Sequence, residues 1–81
     1  MESTTKLLLA VAKTIKDERV SIGLSQEKLA ENSDLDRTYI SGVERLARNL
    51  TVNSLEKVIK GLGLTNKAFL NKLLINIEEK E

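Results

Sequence analysis

The segment at residues 35–49, LDRTYISGVERLARN, gathers side chains that bind through hydrogen bonds and charge. It carries three of the chain's four arginines together with short hydroxyl and amide groups. The polar set is Arg37, Thr38, Tyr39, Ser41, Arg45, Arg48 and Asn49. Arginine presents a planar fork of donors, so the set suits a partner rich in hydrogen-bond acceptors. The chemistry that this segment indicates is recognition rather than bond making.

Catalytic side chains are scarce in the sequence. There is no histidine, which is the commonest general base and metal ligand, and there is no cysteine to form a disulfide or hold a metal. No paired carboxylates and no glycine-rich phosphate loop stand out. We therefore expect a protein that is not an enzyme, with no metal site and no cofactor.

Neither a membrane nor a strong overall charge defines the partner. The apolar runs are far shorter than the ~20 residues that span a bilayer. The N-terminal MESTTK lacks the basic start and apolar core of a signal peptide, so we expect a soluble, cytoplasmic protein. The net charge is only +1, but residues 37–48 carry three basic side chains against one acidic. Electrostatic attraction must come from this local patch.

Helical periodicity runs along the whole chain. There is no proline, there are four glycines, and no segment alternates with the period of a strand. The spacing predicts an all-α fold, a five-helix bundle forming one domain over residues 1–81. Helix one is predicted at residues 5–22 and helix three at residues 37–46. The predicted caps of helices two to five are Ser25, Asp36, Thr51 and Thr65, and Gly23 is predicted to follow helix one in a left-handed conformation.

Apolar stripes at helical spacing predict the core and an interface. The core stripes are Leu8, Val11, Ala12, Ile15 and Ile22 in helix one, Leu29 and Ala30 in helix two, and Leu55, Val58, Ile59 and Leu62 in helix four. Helix five carries more apolar residues than one thin core absorbs. Its Phe69, Leu70, Leu73, Leu74 and Ile77 are therefore predicted to form a two-fold dimer interface, within a dimerisation region of about residues 52–78. The alternative is that helix five simply completes the core.

A short turn joins helices two and three, which predicts a helix-turn-helix unit at about residues 26–45. Projecting helix three at about 100° per residue places its apolar residues on one side and its polar residues on the other. The inner set is Ile40, Val43 and Ala47, and the outer set is Thr38, Ser41, Gly42 and Arg45, flanked by Arg37 and Tyr39.

The outer face of helix three is built from poor helix formers, where a solvated face usually carries Glu, Lys and Gln. Insertion in the major groove of double-stranded DNA explains that choice, because the groove floor presents acceptors and thymine methyl groups. Arginine can grip a guanine edge, and the small Ser41 and Gly42 would keep the helix thin enough to enter. Phosphates or flanking bases are the predicted partners of Ser25, Gln26, Arg45, Arg48 and Asn49.

Residues of about 9–75 also resemble a known family. The stretch IKDERVSIGLSQEKLAENSDLDRTYISGVERLARNLTVNSLEKVIKGLGL resembles the helix-turn-helix domain of the phage repressor and Cro superfamily, which has a lambda-repressor-like fold. The form LDRTYISGVER…RNLT in so short a chain is similar to the controller proteins of restriction–modification systems. The sequence departs from the family at Asp34, where the turn usually has glycine, and at Asp36, where the cap is often serine.

The resemblance implies a dimeric transcription regulator that binds a pseudo-palindromic operator near its own gene. Two dimers can bind adjacent sites, so that activation turns into repression as protein accumulates and the endonuclease is delayed until the methylase has protected the host DNA. Contact with RNA polymerase is left open. Carried over by motif position, the base-contacting residues are Arg37, Thr38, Tyr39 and Ser41, and Arg19 pairs with Glu44 as a structural ion pair.

Two other functions fit the same residues. A phage-type or antitoxin-like repressor would share the DNA-binding surface and differ in the regulated genes. A protein-interaction helical module would use residues 37–49 on a protein and would have no specific DNA site. The polar, arginine-rich face favours DNA, because the cores of protein interfaces prefer large apolar anchors.

Overall fold

The computed structural model describes the backbone of residues 5–80 and the side chains of residues 5–78. The backbone forms five helices. These are α1 (Lys6–Ser21), α2 (Gln26–Ser33), α3 (Arg37–Glu44), α4 (Val52–Gly61) and α5 (Asn66–Lys80). There is no strand in residues 5–80, so the prediction of an all-α, five-helix fold is confirmed. No helix in this part of the chain has both the length and the apolar character needed to cross a bilayer.

Side-chain caps define the starts of four helices. The hydroxyl oxygens of Thr5, Ser25, Thr51 and Thr65 accept hydrogen bonds of 2.9–3.1 Å from backbone N–H groups three residues later. The predicted caps at Ser25, Thr51 and Thr65 are therefore confirmed. Asp36 occupies the cap position of α3, but its side chain makes no capping hydrogen bond. Gly23 has the predicted left-handed backbone, with φ of 77°.

All five helices contribute to one core. Its fully buried centre is formed by Ile15, Leu29, Ile40, Val43, Val58 and Phe69. Two residues predicted to be inside are outside. Ile22 is 51% exposed because it follows the last residue of α1, where the stripe no longer faces the core. Ala47 is exposed because α3 ends at Glu44 and Leu46 is left-handed, with φ of 64°, so the helical projection stops before residue 47.

The five apolar residues that were assigned to a dimer interface divide between the core and the surface. Phe69 and Leu73 are 0% and 7% exposed, so they belong to the core of the single chain, and their assignment to the interface was wrong. They lie on the side of α5 that packs on α1 and α4. Leu70 and Leu74 are each 52% exposed, while Ile77 is half-buried against the core.

Candidate nucleic-acid interface

The turn between α2 and α3 fixes how the two helices meet. Asp34 follows α2 in the left-handed conformation, with φ of 56° and ψ of 43°. Its residue type tolerates this backbone better than most, which explains how the turn forms without the usual glycine. The Leu35 N–H then donates to the Ala30 carbonyl at 2.9 Å, which closes the turn. The chain can therefore start α3 after three turn residues.

The core holds α3 by one face and leaves the opposite face open. Ile40 and Val43 are each 1% exposed and form the inner side. Arg37 and Thr38 at the start of the helix are exposed, Ser41 is half-buried, and Arg45 at its end is exposed. The Arg45 Nε donates to the Ser41 carbonyl at 3.3 Å. The polar residues thus lie together on a surface that a partner can reach.

A buried carboxylate ties the end of α3 to the two preceding helices. Glu44, whose side chain is 3% exposed, accepts hydrogen bonds from Arg19 Nε at 2.7 Å and Arg19 Nη2 at 3.1 Å. The Arg19 Nη1 also donates to the Leu24 carbonyl at 2.7 Å. The Gln26 Nε2 donates to Glu44 at 3.0 Å, and its second amide hydrogen is available to an outside acceptor. Arg19 and Glu44 thus form the pair that the resemblance implies.

The charged side chains of residues 37–48 divide between the surface and the interior. Glu44 is the one acidic residue of positions 37–48, and it lies inside against Arg19. Arg37, Arg45 and Arg48 all remain exposed. A phosphate-bearing partner would therefore meet three exposed cations, with the exposed carboxylate of Asp36 next to Arg37.

The loop after α3 folds back onto the helix. The Tyr39 hydroxyl donates to the Asn49 carbonyl at 3.0 Å, and the Arg48 guanidinium lies 6.0 Å from the centre of the Tyr39 ring. Gly42 lies beneath this loop and is buried, so its placement on the open face was wrong. The projection was correct for an isolated helix, but the returning Arg48 side chain covers that position.

The remaining predicted contacts surround α3. Ser25 is exposed and its hydroxyl oxygen is engaged in capping α2, while Asn49 is exposed with its carbonyl bonded to Tyr39. Hydrogen bonds thus join α3 to the start of α2, through Gln26 and Glu44, and to the following loop, through Tyr39 and Asn49.

A second surface lies within the predicted dimerisation region of about residues 52–78, and Val52 is the member that the sequence analysis did not name. Val52 is 81% exposed at the start of α4, and with Leu55, Ile59 and Leu70 it lines an open groove between α4 and α5. Exposed Leu74 lies one turn beyond Leu70 along α5. The signal in the sequence is the spacing of residues 52, 55 and 59, which places three apolar residues on one stripe of α4.

These features define a helix-turn-helix protein, and comparisons with known proteins place it further. Residues 15–66 match the family model described as helix-turn-helix. Control protein C.BamHI of Bacillus amyloliquefaciens is 40% identical over 80 residues, which cover 96% of this chain and 99% of that protein. The solved wild-type restriction–modification controller protein C.Esp1396I is 49% identical with a TM-score of 0.88, over 94% of this chain and 97% of that one.

The same controller protein has been solved as a tetramer in complex with its natural 35-base-pair operator. That structure matches with a TM-score of 0.87 and 49% identity, over 94% of this chain and 97% of that one. The chain therefore belongs to the helix-turn-helix family and, within it, to the controller proteins of restriction–modification systems.

Proposed function

We propose that this chain is a sequence-specific, DNA-binding transcription regulator that binds its own operator as a dimer. The observation that carries the proposal is that α3 exposes one face, which carries arginines, while its opposite face is buried in the core. A rigid helix with donors on its outer side suits the DNA major groove, which admits one helix and presents acceptors along its floor. The operator complex of the related controller protein supports the same assignment.

Base reading is assigned to the start and middle of α3. Arg37 is exposed at the first helical position and can donate two hydrogen bonds to a guanine edge. Thr38 is exposed beside it, and Ser41 follows one turn later. Tyr39 is half-buried and bonded to the loop, so its ring edge rather than its hydroxyl would meet a thymine methyl group.

Phosphate contacts are assigned around the edge of this face. Arg45 and Arg48 are exposed cations on the loop side. Gln26 is fixed by Glu44 through one amide hydrogen and can donate the other to a phosphate, next to the backbone N–H groups at the start of α2 that Ser25 caps. Asn49 is exposed beside Arg48. Such contacts set the register of the protein on the duplex without reading sequence.

Dimerisation is assigned to the exposed apolar side of α4 and α5, within a single domain that spans residues 1–81. Val52, Leu70 and Leu74 are more than half exposed. Val52 and Leu70 line one groove, Leu74 lies one turn further along α5, and a second copy related by two-fold symmetry would cover the same surface on both chains. A two-fold dimer presents its two α3 helices to half-sites about one helical turn apart. The tetramer of the related protein supports two dimers on one operator.

The regulatory role follows from membership of the controller family. We infer that the protein acts in the cytoplasm, that it activates and then represses transcription as its concentration rises, and that it needs neither catalysis nor a cofactor. Contact with RNA polymerase would belong to the activating step. The alternatives are a phage-type or antitoxin-like repressor and a module that binds another protein.

Selection from a pool of random duplex DNA tests the proposal. We expect the full chain to enrich a two-fold symmetric site and to prefer it over non-specific DNA by on the order of 10³ or more at physiological salt. Affinity should fall steeply as salt rises, because bound arginines release counterions from the phosphates. A folded dimer that enriches no site would overturn the proposal in favour of a protein partner.

A further inference from the structure

Gly42 forms a notch that holds one particular side chain. A methyl group built at Gly42 would lie 2.6 Å from Arg48 Cγ, 3.5 Å from its Cβ and 3.8 Å from its Cδ. The first distance is well inside van der Waals contact, and all three of the nearest atoms belong to Arg48. The aliphatic stem of Arg48 therefore rests directly on the backbone of α3, in space that any other residue at position 42 would fill.

The contact between the Arg48 side chain and Gly42 determines where the Arg48 charge lies. With its stem against Gly42, the guanidinium stands over the Tyr39 ring, 6.0 Å from the ring centre. The Tyr39 hydroxyl in turn holds the backbone at Asn49, 3.0 Å away, so the loop is fixed on both sides of Arg48. A clash at Cγ lies near the base of the side chain and cannot be relieved by moving its tip. Rotation about the first side-chain bond would carry the guanidinium away from Tyr39.

We propose that Gly42 is a positioning residue for DNA binding, which acts by seating Arg48 so that its guanidinium is held ready at the edge of the α3 face. The proposal rests on the proposed function and adds a residue that touches no DNA. A flexible arginine loses side-chain freedom when it is immobilised, and holding it beforehand removes much of that entropic cost from binding. Glycine is otherwise a poor choice inside a helix, where alanine forms helix better.

A four-protein comparison separates this role from simple packing. The proteins are the wild type, Gly42→Ala, Arg48→Ala and the variant with both changes, and the probe is the duplex that the wild type selects from a random pool. We expect Gly42→Ala to weaken binding about as much as Arg48→Ala does, roughly tenfold for one charge-assisted contact. In the Arg48→Ala background, Gly42→Ala should change affinity by less than about twofold, since no Cγ remains to clash.

The salt dependence supplies a readout that a packing defect would not move. Both single variants should reduce the slope of log affinity against log salt by about one, because each removes one cation from the phosphates. Thermal unfolding of all four proteins accompanies the binding data. In the Arg48→Ala background, Gly42→Ala should leave the melting temperature unchanged or raise it, because no Cγ remains to clash and helix propensity improves.

Several results would overturn the proposal. Unchanged affinity and salt slope in a folded Gly42→Ala protein would show that Arg48 needs no seat. Equal loss of affinity in both backgrounds, or a doubly changed protein that fails to fold, would show that glycine serves packing instead. If Gly42→Ala alone fails to fold, the doubly changed protein decides, with binding equal to Arg48→Ala as the supporting result. Failure of the wild type to select any site would count against the proposed function itself. That result is distinct from a failure of the Gly42 proposal, which requires a wild type that binds its selected site.

Discussion

At the scale of single residues, the site depends on where the charges of opposite sign are placed. Glu44 lies inside, where Arg19 and Gln26 satisfy its oxygens. Arg37, Arg45 and Arg48 lie on the surface. Burying the carboxylate of Glu44 within an ion pair removes one negative charge from the surface that must attract phosphate, and each buried charge then depends on its partner.

Removing the carboxylate of Glu44 should therefore be costly. We expect Glu44→Ala to lower the free energy of unfolding by on the order of 3–5 kcal/mol, since Arg19, whose side chain is only 12% exposed, would keep a charge without its partner. Urea unfolding followed by circular dichroism measures this loss.

Glu31→Ala is the matched control for that substitution. The Glu31 side chain is 70% exposed and pairs with Lys28 within α2 at 2.9 Å. Such a helical surface pair contributes only about 0.2–0.5 kcal/mol. Equal losses for Glu44→Ala and Glu31→Ala would contradict the structural role assigned to the buried pair.

At the scale of elements, α2 packs against α3 on one side and approaches α4 closely on another. Gly61 ends α4, and a methyl group there would lie 2.1 Å from Ser33 Oγ. Ser33 is 3% exposed, and its hydroxyl has no hydrogen-bond partner among the described residues. Asn32 Nδ2 donates to the Gly61 carbonyl at 3.4 Å. The two helices thus meet backbone to side chain at this point.

Gly61→Ala should force these helices apart. We expect a loss of about 1–3 kcal/mol in the free energy of unfolding, the usual cost of overpacking. Adding Ser33→Ala removes the clashing oxygen and leaves the nearest atoms, Leu29 Cδ1 and the Cβ of residue 33, at 3.2 Å. Most of the lost stability should then return. Denaturant unfolding of both proteins checks the prediction, and an unchanged loss after Ser33→Ala would contradict it.

The existence and order of the helices could be predicted from the sequence, because capping residues and apolar spacing are local signals. Ser25, Thr51 and Thr65 cap where they were expected to cap. Gly42 and Ala47 were misplaced, because their burial depends on where α3 ends and how the next loop returns over it. The left-handed backbone at Leu46 that ends the helical path carries no residue-type signal.

At the scale of the whole molecule, the proposed binding to a two-fold symmetric operator needs two chains. The single chain buries Phe69 and Leu73 for its own stability and leaves Val52, Leu70 and Leu74 open. The apolar composition of α5 indicated an interface, but one-dimensional spacing could not divide its residues between the core and the surface. That division depends on which flank α1 and α4 cover.

Leu74→Lys should weaken the dimer. We expect its dissociation constant to rise roughly 30-fold or more, because the change places a charge at an apolar anchor on both chains. Sedimentation equilibrium measures the constant directly.

Ile75→Lys is the matched control for the dimer. Ile75 is 56% exposed, close to the 52% of Leu74, but it lies about 100° further around the helix, off the flank that carries Leu70. We expect Ile75→Lys to leave the dissociation constant unchanged. If both substitutions raise the dissociation constant equally, or if neither raises it, this side of α5 is not the interface.

The central claim is that the exposed face of α3 reads bases while its edges hold phosphates. The most direct measurement compares the base preferences of the wild type, Arg37→Ala and Arg45→Ala across all single-base variants of the selected site. We expect Arg37→Ala to lose its preference at one symmetric position per half-site, at a cost of about 1–3 kcal/mol, and Arg45→Ala to weaken binding uniformly across sequences. Preferences left intact in Arg37→Ala would contradict the assignment of Arg37 to base reading on this face.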